Sequence, residues 1–192
     1  MTLWYLARAG GLAAMVLLSV ATACGALGSV RRGVPERRVI WQYLHRTAAM
    51  TGLLLVVGHV TAVVLDAKSH VSLEAVVVPL SSGYRPVAVA LGVFAGYLFV
   101  FVALLGAARG RLAGSAGAVA AWRGLHAAAY LAWGLGVLHG FLAGTDSGQS
   151  WVRTLDLVVV GLVAAALLVR LTAPKSRRAG RVVVPTWTEV AR

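Results

Sequence analysis

Five long apolar runs leave this chain few ways to fold. They extend from Leu3 to about Val30 (broken only by Arg8), from about Val39 to Leu65, from Pro86 to Ala108, from about Ala118 to Ala143, and from about Thr154 to Ala173. Each is long enough to cross a hydrocarbon core of about 30 Å at about 1.5 Å of rise per residue. Each must do so as a helix, because lipid offers no partner to open backbone groups. The expected fold is therefore all-α: a polytopic membrane helix bundle of five transmembrane helices over residues 1–173, followed by a short basic tail over 174–192. With 59% hydrophobic and 12% charged residues, the chain is not an ordinary soluble domain, which carries about 45–50% and about 25%. Disorder is excluded on the same ground. Residues Val71 to Leu80 form a sixth apolar piece, too short to span, which reads as an interfacial or re-entrant segment.

The net charge of +12 resembles a nucleic-acid footprint until the charges are placed on the spans. Arg31, Arg32, Arg37, Arg38, Arg46, Arg109, Arg111, Arg123 and the basic residues from Arg170 onward fall on one side, 14 cations with only Glu36 and Glu189 against them. The other side holds Arg8, Lys68, Arg85 and Arg153 against Asp66, Glu74, Asp146 and Asp156. All of the excess is one-sided, so it is a topology signal and no nucleic-acid partner is expected. The positive-inside rule puts the N-terminus outside and the C-terminus in the cytoplasm, with lipid as the surrounding partner. Ala21-Thr22-Ala23-Cys24 loosely resembles a lipoprotein cleavage site, but no positive region precedes the run and the run is long, so it reads as a retained span. The lone Cys24 excludes an internal disulfide and reads as an inert buried thiol. No internal repeat stands out.

Four of the five histidines, His45, His59, His126 and His139, lie within the second and fourth runs. Ionisable side chains in a bilayer are costly and mark function by default. Interhelical hydrogen bonds or a proton relay are one reading; metal or haem ligation is the sharper one. The second and fourth spans are parallel. His45 and His126 each lie about one to two turns inside the cytoplasmic end, and His59 and His139 lie near the outer end. The separations are 14 and 13 residues, about 21 Å and 20 Å of rise. His45 should thus face His126 at one depth and His59 face His139 at another, the arrangement that bis-imidazole ligation of a planar haem needs.

Fourteen residues return to within about 40° of the same helix face, whereas 13 leave His126 and His139 about 140° apart, so a local tightening or bend is required; Gly134 and Gly136 lie between them. Gly52 lies seven residues from both His45 and His59; Gly58 and Gly140 adjoin the outer pair, and Gly124 lies near His126. Such glycines admit either a flat ligand or a close-packed helix.

Leu44-His45-Arg46 with His59 fourteen residues on, and Trp122-Arg123-Gly124-Leu125-His126 with Tyr130 and with His139 thirteen on, resemble the ferric reductase-like transmembrane domain shared with NADPH oxidases and bacterial haem b membrane subunits. The resemblance covers roughly residues 38–173. It implies two haem b groups, the inner one on His45 and His126 and the outer one on His59 and His139. It also implies electron flow toward the outer side. Two departures stand out: members often have six spans rather than five, and many carry a cytoplasmic flavin- and NAD(P)H-binding domain. The tail here is too short for one, so a separate flavoprotein or quinol donor is expected, with an outer acceptor whose identity stays open.

Haem propionates need cations. Arg46 and Arg123, each within a turn of an inner histidine, and Arg85 in the outer Ser-Gly-Tyr-Arg-Pro loop are the candidates; membrane anchoring is the alternative for each. The Val71–Leu80 segment is placed to lie over the outer haem or simply on the membrane surface. Trp133 lies roughly on the His126 face, between the two levels or in the packing core. His70 reads as a solvated loop residue, and Asp146 and Asp156 as surface or proton-delivery groups. The expected function is di-haem electron transfer across a bacterial plasma membrane, an oxidoreductase component related to ferric reductases that needs a partner. A quinone-linked cytochrome b subunit of a larger complex and a non-redox histidine-dependent transporter are the alternatives.

Overall fold

A computed structural model describes residues 2–30, 35–112 and 114–173. The basic tail 174–192, with its cations, and Arg31 and Arg32 lie outside the described residues. The chain is all-helical there: α1 (Thr2–Gly28), α2 (Pro35–Leu65), α3 (Leu73–Val77), α4 (Pro86–Leu112), α5 (Ala116–His126), α6 (Ala128–Ala143) and α7 (Ser150–Thr172). Five helical stretches are long and apolar enough to cross a membrane, with α5 and α6 together making the fourth. This is compatible with a multi-pass membrane protein. Much of the apolar surface points outward, as in Leu54, Leu104, Leu157 and Leu171. Such surface is stable only against an apolar medium.

Local signals account for the helix ends. Pro35 and Pro86 take first helical positions, where a missing N–H costs nothing. Ser115 caps α5 by accepting from the Ala118 N–H at 3.1 Å, and Ser72 caps α3 by accepting from Ala75 at 3.2 Å. Arg109 and Arg111 lie in the last turn of α4, where cations complement the helix dipole.

The bundle is built from two like pairs. Helix α2 packs along α1, and α4 packs along α6 and α5; α1 also meets α6 and α7. Small residues make this close approach possible: Ala23 and Ala26 of α1 and Val163 and Ala166 of α7 form the buried centre, with Leu27, Tyr130, Trp133 and Leu167 against it. Trp133 is a packing residue here, and its indole N–H donates to Ser19 Oγ of α1 at 2.8 Å. Ser19 is wholly buried and donates in turn to the Met15 carbonyl. Gly52 also belongs to the packing. A Cβ there would stand 2.9 Å from the Leu18 side chain, so this glycine serves the α1–α2 contact and not a ligand.

The fourth span is not one continuous helix. It breaks at Ala127, directly after His126, where the backbone N–H is shared between the carbonyls of Arg123 and Gly124 and the Tyr130 N–H reaches back three residues to Ala127. This tighter turn adds about 20° per residue to the helical rotation and recovers part of the 13-residue offset. The bend therefore lies at Ala127, and Gly134 and Gly136 sit within the unbroken α6.

The connection 66–85 crosses one face of the bundle. Its short α3 leans on α4, and the Tyr97 hydroxyl, well inside α4, donates to the Val77 carbonyl. Leu73, Val77, Val78 and Leu80 are exposed on it, as expected of a segment lying at a membrane interface.

Candidate functional site

The four span histidines meet in two pairs. The rings of His45 and His126 have centres 6.2 Å apart, and those of His59 and His139 6.4 Å apart. The first pair lies toward the end of the bundle that holds the α1–α2 and α4–α5 turns, the second toward the end that holds the 66–85 connection. Helix α2 is not packed along α5 or α6, so the imidazoles bridge a gap between the two helix pairs. A metal ion held between two imidazoles by collinear bonds of about 2.0–2.1 Å, with about 1.1 Å from each nitrogen to its ring centre, puts the ring centres about 6.3 Å apart. Both spacings are compatible with that geometry. The rings stand at 68° and 75° to one another, so neither pair is a stack.

Backbone carbonyls fix three of the rings. His45 Nδ1 bonds the Ala21 carbonyl at 2.8 Å, His59 Nδ1 that of Ala7 at 2.6 Å, and His139 Nδ1 that of Ala88 at 2.8 Å. A carbonyl can only accept, so Nδ1 carries the proton and Nε2 keeps its lone pair for a ligand. This is the outer-shell arrangement that orients a metal-binding imidazole. His126 differs: its Nδ1 is buried without a hydrogen-bond partner among the described residues. The Val102 carbonyl of α4 faces it without reaching hydrogen-bond geometry.

The carbonyls facing the rings reveal a repeat that the residue pattern of α2 and α5–α6 does not show. The acceptors Ala7 and Ala21 are 14 residues apart on α1, and the acceptor Ala88 and the unbonded Val102 are 14 apart on α4. Four residues after each of the four stands a glycine: Gly11, Gly25, Gly92 and Gly106. A Cβ would lie 3.0 Å from His59 Nδ1 at Gly11, 3.3 Å from His45 Nδ1 at Gly25, 2.7 Å from His139 Nδ1 at Gly92, and 3.7 Å from His126 Cε1 at Gly106. One helical turn beyond each carbonyl, the missing side chain lets an imidazole lie against the backbone. Two α-helical hairpins, α1–α2 and α4–α5–α6, thus carry the same four-part device. These cradle glycines lie on the partner helices and not beside the histidines. The signal was present as Ala-x-x-x-Gly at 14-residue spacing on the first span and its near-copy on the third.

The glycines beside the histidines separate by role. Gly58, Gly124 and Gly140 have no atom within 4 Å of a built Cβ, so they border open space and not a packed helix. No cluster of three or more His, Cys, Asp or Glu able to hold a metal ion is found among the described residues. Among the described residues the span histidines come together in pairs.

The arginines take distinct places. Arg46 and Arg123 are exposed. Arg85 adopts φ 38°, donates to the Leu142 carbonyl at 2.5 Å, and stacks over Tyr84, whose hydroxyl donates to the Ala143 carbonyl. Both side chains cap the open carbonyl end of α6, just past His139. Arg8 pairs with Asp146 across the same end of the bundle and lies over Trp4 and Tyr5. Arg109 lies 5.1 Å over the Trp122 ring, which stacks on His126 at 4.9 Å. His70, with φ 54°, is exposed in the connection. Cys24 is a buried free thiol.

Comparison with protein-family models, with characterised proteins and with solved structures finds no match for this chain.

Proposed function

We propose that this chain is a di-haem b membrane electron-transfer protein. His45 and His126 hold one haem and His59 and His139 the other. The observation that carries this reading is the pair of imidazole couples at two levels, each at metal-bridging distance, with three Nδ1 atoms tied to carbonyls. Haem supplies one-electron chemistry that no side chain here offers. The chain's own part is ligation, orientation and burial. The carbonyls of Ala7, Ala21 and Ala88 keep Nε2 as the donor atom, and the glycine cradles hold the rings in place. Two levels about 21 Å apart in helix rise divide a crossing too long for one tunnelling step.

The one-sided basic charge supports a membrane orientation with the His45–His126 pair toward the cytoplasm and the His59–His139 pair toward the outer side of a bacterial plasma membrane. Exposed Arg46 and Arg123 are then placed for cytoplasmic propionates. A separate flavoprotein or quinol delivers electrons, and an outer-side acceptor receives them, as in ferric reductase-like proteins. Purified protein is expected to give a b-type reduced-minus-oxidised spectrum with about two haems per chain. A colourless chain from haem-sufficient cells, with a function that follows pH or metal and not reductant, refutes the proposal in favour of a non-redox transporter.

A further inference from the structure

The two histidine pairs are built from the same parts, but one of the four positions breaks the pattern. His45, His59 and His139 each have Nδ1 on a carbonyl; His126 Nδ1 has no hydrogen-bond partner among the described residues. Its cradle is also the loosest, with Gly106 leaving 3.7 Å where Gly92 leaves 2.7 Å. Another device occupies that position. Trp122, one turn earlier on α5, lies on the His126 ring at 4.9 Å with planes 18° apart. The indole is itself anchored, since its N–H donates to the Leu105 carbonyl of α4 at 2.8 Å. The Arg109 guanidinium lies 5.1 Å from the centre of the same indole ring. The helix tightens at Ala127, so His126 is the last residue of α5 before the turn into α6.

We propose that the two stations are electronically unequal, that Trp122 is the positioning residue holding His126 in place of a backbone anchor, and that the haem on His45 and His126 has the higher reduction potential. This rests on the di-haem reading. A carbonyl accepting from Nδ1–H pushes electron density onto the imidazole and favours ferric iron. The His59–His139 station has two such bonds, whereas the His45–His126 station has one. Arg109 lies 5.1 Å from the Trp122 ring centre, and a nearby cation favours the reduced iron. At the other end of the bundle Arg8 is paired with Asp146 while the Arg85 cation lies just past His139, so the hydrogen bonds and not the charges set the order. An electron shared between the stations therefore rests on the His45–His126 haem.

The test is a spectroelectrochemical redox titration of the full-length protein in detergent, with low-spin haem EPR on the same samples. Two separated waves are expected, and the wave that survives in His59→Ala identifies the His45–His126 station as the higher. Trp122→Phe keeps a ring on His126 and should preserve both waves. Trp122→Leu should move the higher wave down toward the other and alter one EPR signal, or lose that haem alone. Two haems titrating as a single wave, the higher wave belonging to His59–His139, or Trp122→Leu behaving as Trp122→Phe would each overturn the inference while leaving the di-haem reading intact. A chain that takes up no haem overturns both.

Discussion

Gly92 lies directly under the imidazole of His139: a Cβ built on it stands 2.7 Å from Nδ1 and 2.9 Å from Cε1. No real carbon packs so closely, so a methyl at this position must push the ring away and break its 2.8 Å bond to the Ala88 carbonyl. Helices α4 and α6 are held at this distance by their small residues, and the histidine exploits it.

Gly92→Ala is therefore expected to reduce haem content to about one per chain, because the displaced ring no longer presents Nε2 correctly, and overpacking adds about 1–3 kcal/mol of strain. Gly106→Ala, with 3.7 Å to His126, meets only ordinary contact and should keep both haems. Pyridine haemochrome quantitation against protein concentration checks the pair. Equal loss in both variants would show that the cradles do not act through imidazole contact.

Single substitutions of the histidines should separate the stations. His45→Ala and His126→Ala are expected to lose one haem, and His59→Ala and His139→Ala the other, with distinct residual spectra. His70→Ala, exposed in the 66–85 connection, should retain both. Four variants that all keep two haems would refute the pairing.

The ring planes lie at 68° and 75° to one another. If these histidines hold haem iron at such angles, near-perpendicular imidazoles would leave the iron π-symmetry orbitals almost equal in energy. Ferric protein should accordingly give strongly anisotropic low-spin EPR signals at both stations, in place of the rhombic pattern of parallel ligands. A rhombic signal at either station would show that its rings turn when the haem binds.

Ser19→Ala removes the acceptor of the Trp133 indole N–H at a wholly buried position. An unsatisfied buried donor costs about 1–3 kcal/mol, which should appear as a lower thermal midpoint in detergent with haem content unchanged. Restoring the midpoint by Trp133→Phe in the Ser19→Ala background would identify the lost hydrogen bond as the cause.

The Arg8–Asp146 pair joins the start of α1 to the α6–α7 connection with both side chains partly exposed. A double-mutant cycle with Arg8→Gln and Asp146→Asn should give a coupling of about 1 kcal/mol or less that shrinks as salt is raised. A coupling insensitive to salt would mean that packing on Trp4 and Tyr5 dominates.

Some of this architecture was determined by the sequence alone. Five apolar runs set the number of spans, because lipid permits only closed backbone hydrogen bonding. The second and fourth of successive spans run parallel, and spacings of 14 and 13 residues then paired His45 with His126 and His59 with His139. Both are one-dimensional facts, span order and rise per residue along the chain. Only the tertiary structure decided what each ring rests on. A membrane helix is apolar around its whole circumference, so its pattern does not announce which face meets a neighbour. That is why Gly11, Gly25, Gly92 and Gly106, one helix away from the histidines they seat, were not legible beforehand, while Gly52 proved to be packing. It is also why the bend fell at Ala127, where the backbone shares one N–H between two carbonyls, and why Arg85 turned out to cap α6. Local periodicity says how far apart two side chains stand on one helix; interhelical contact decides what stands opposite them.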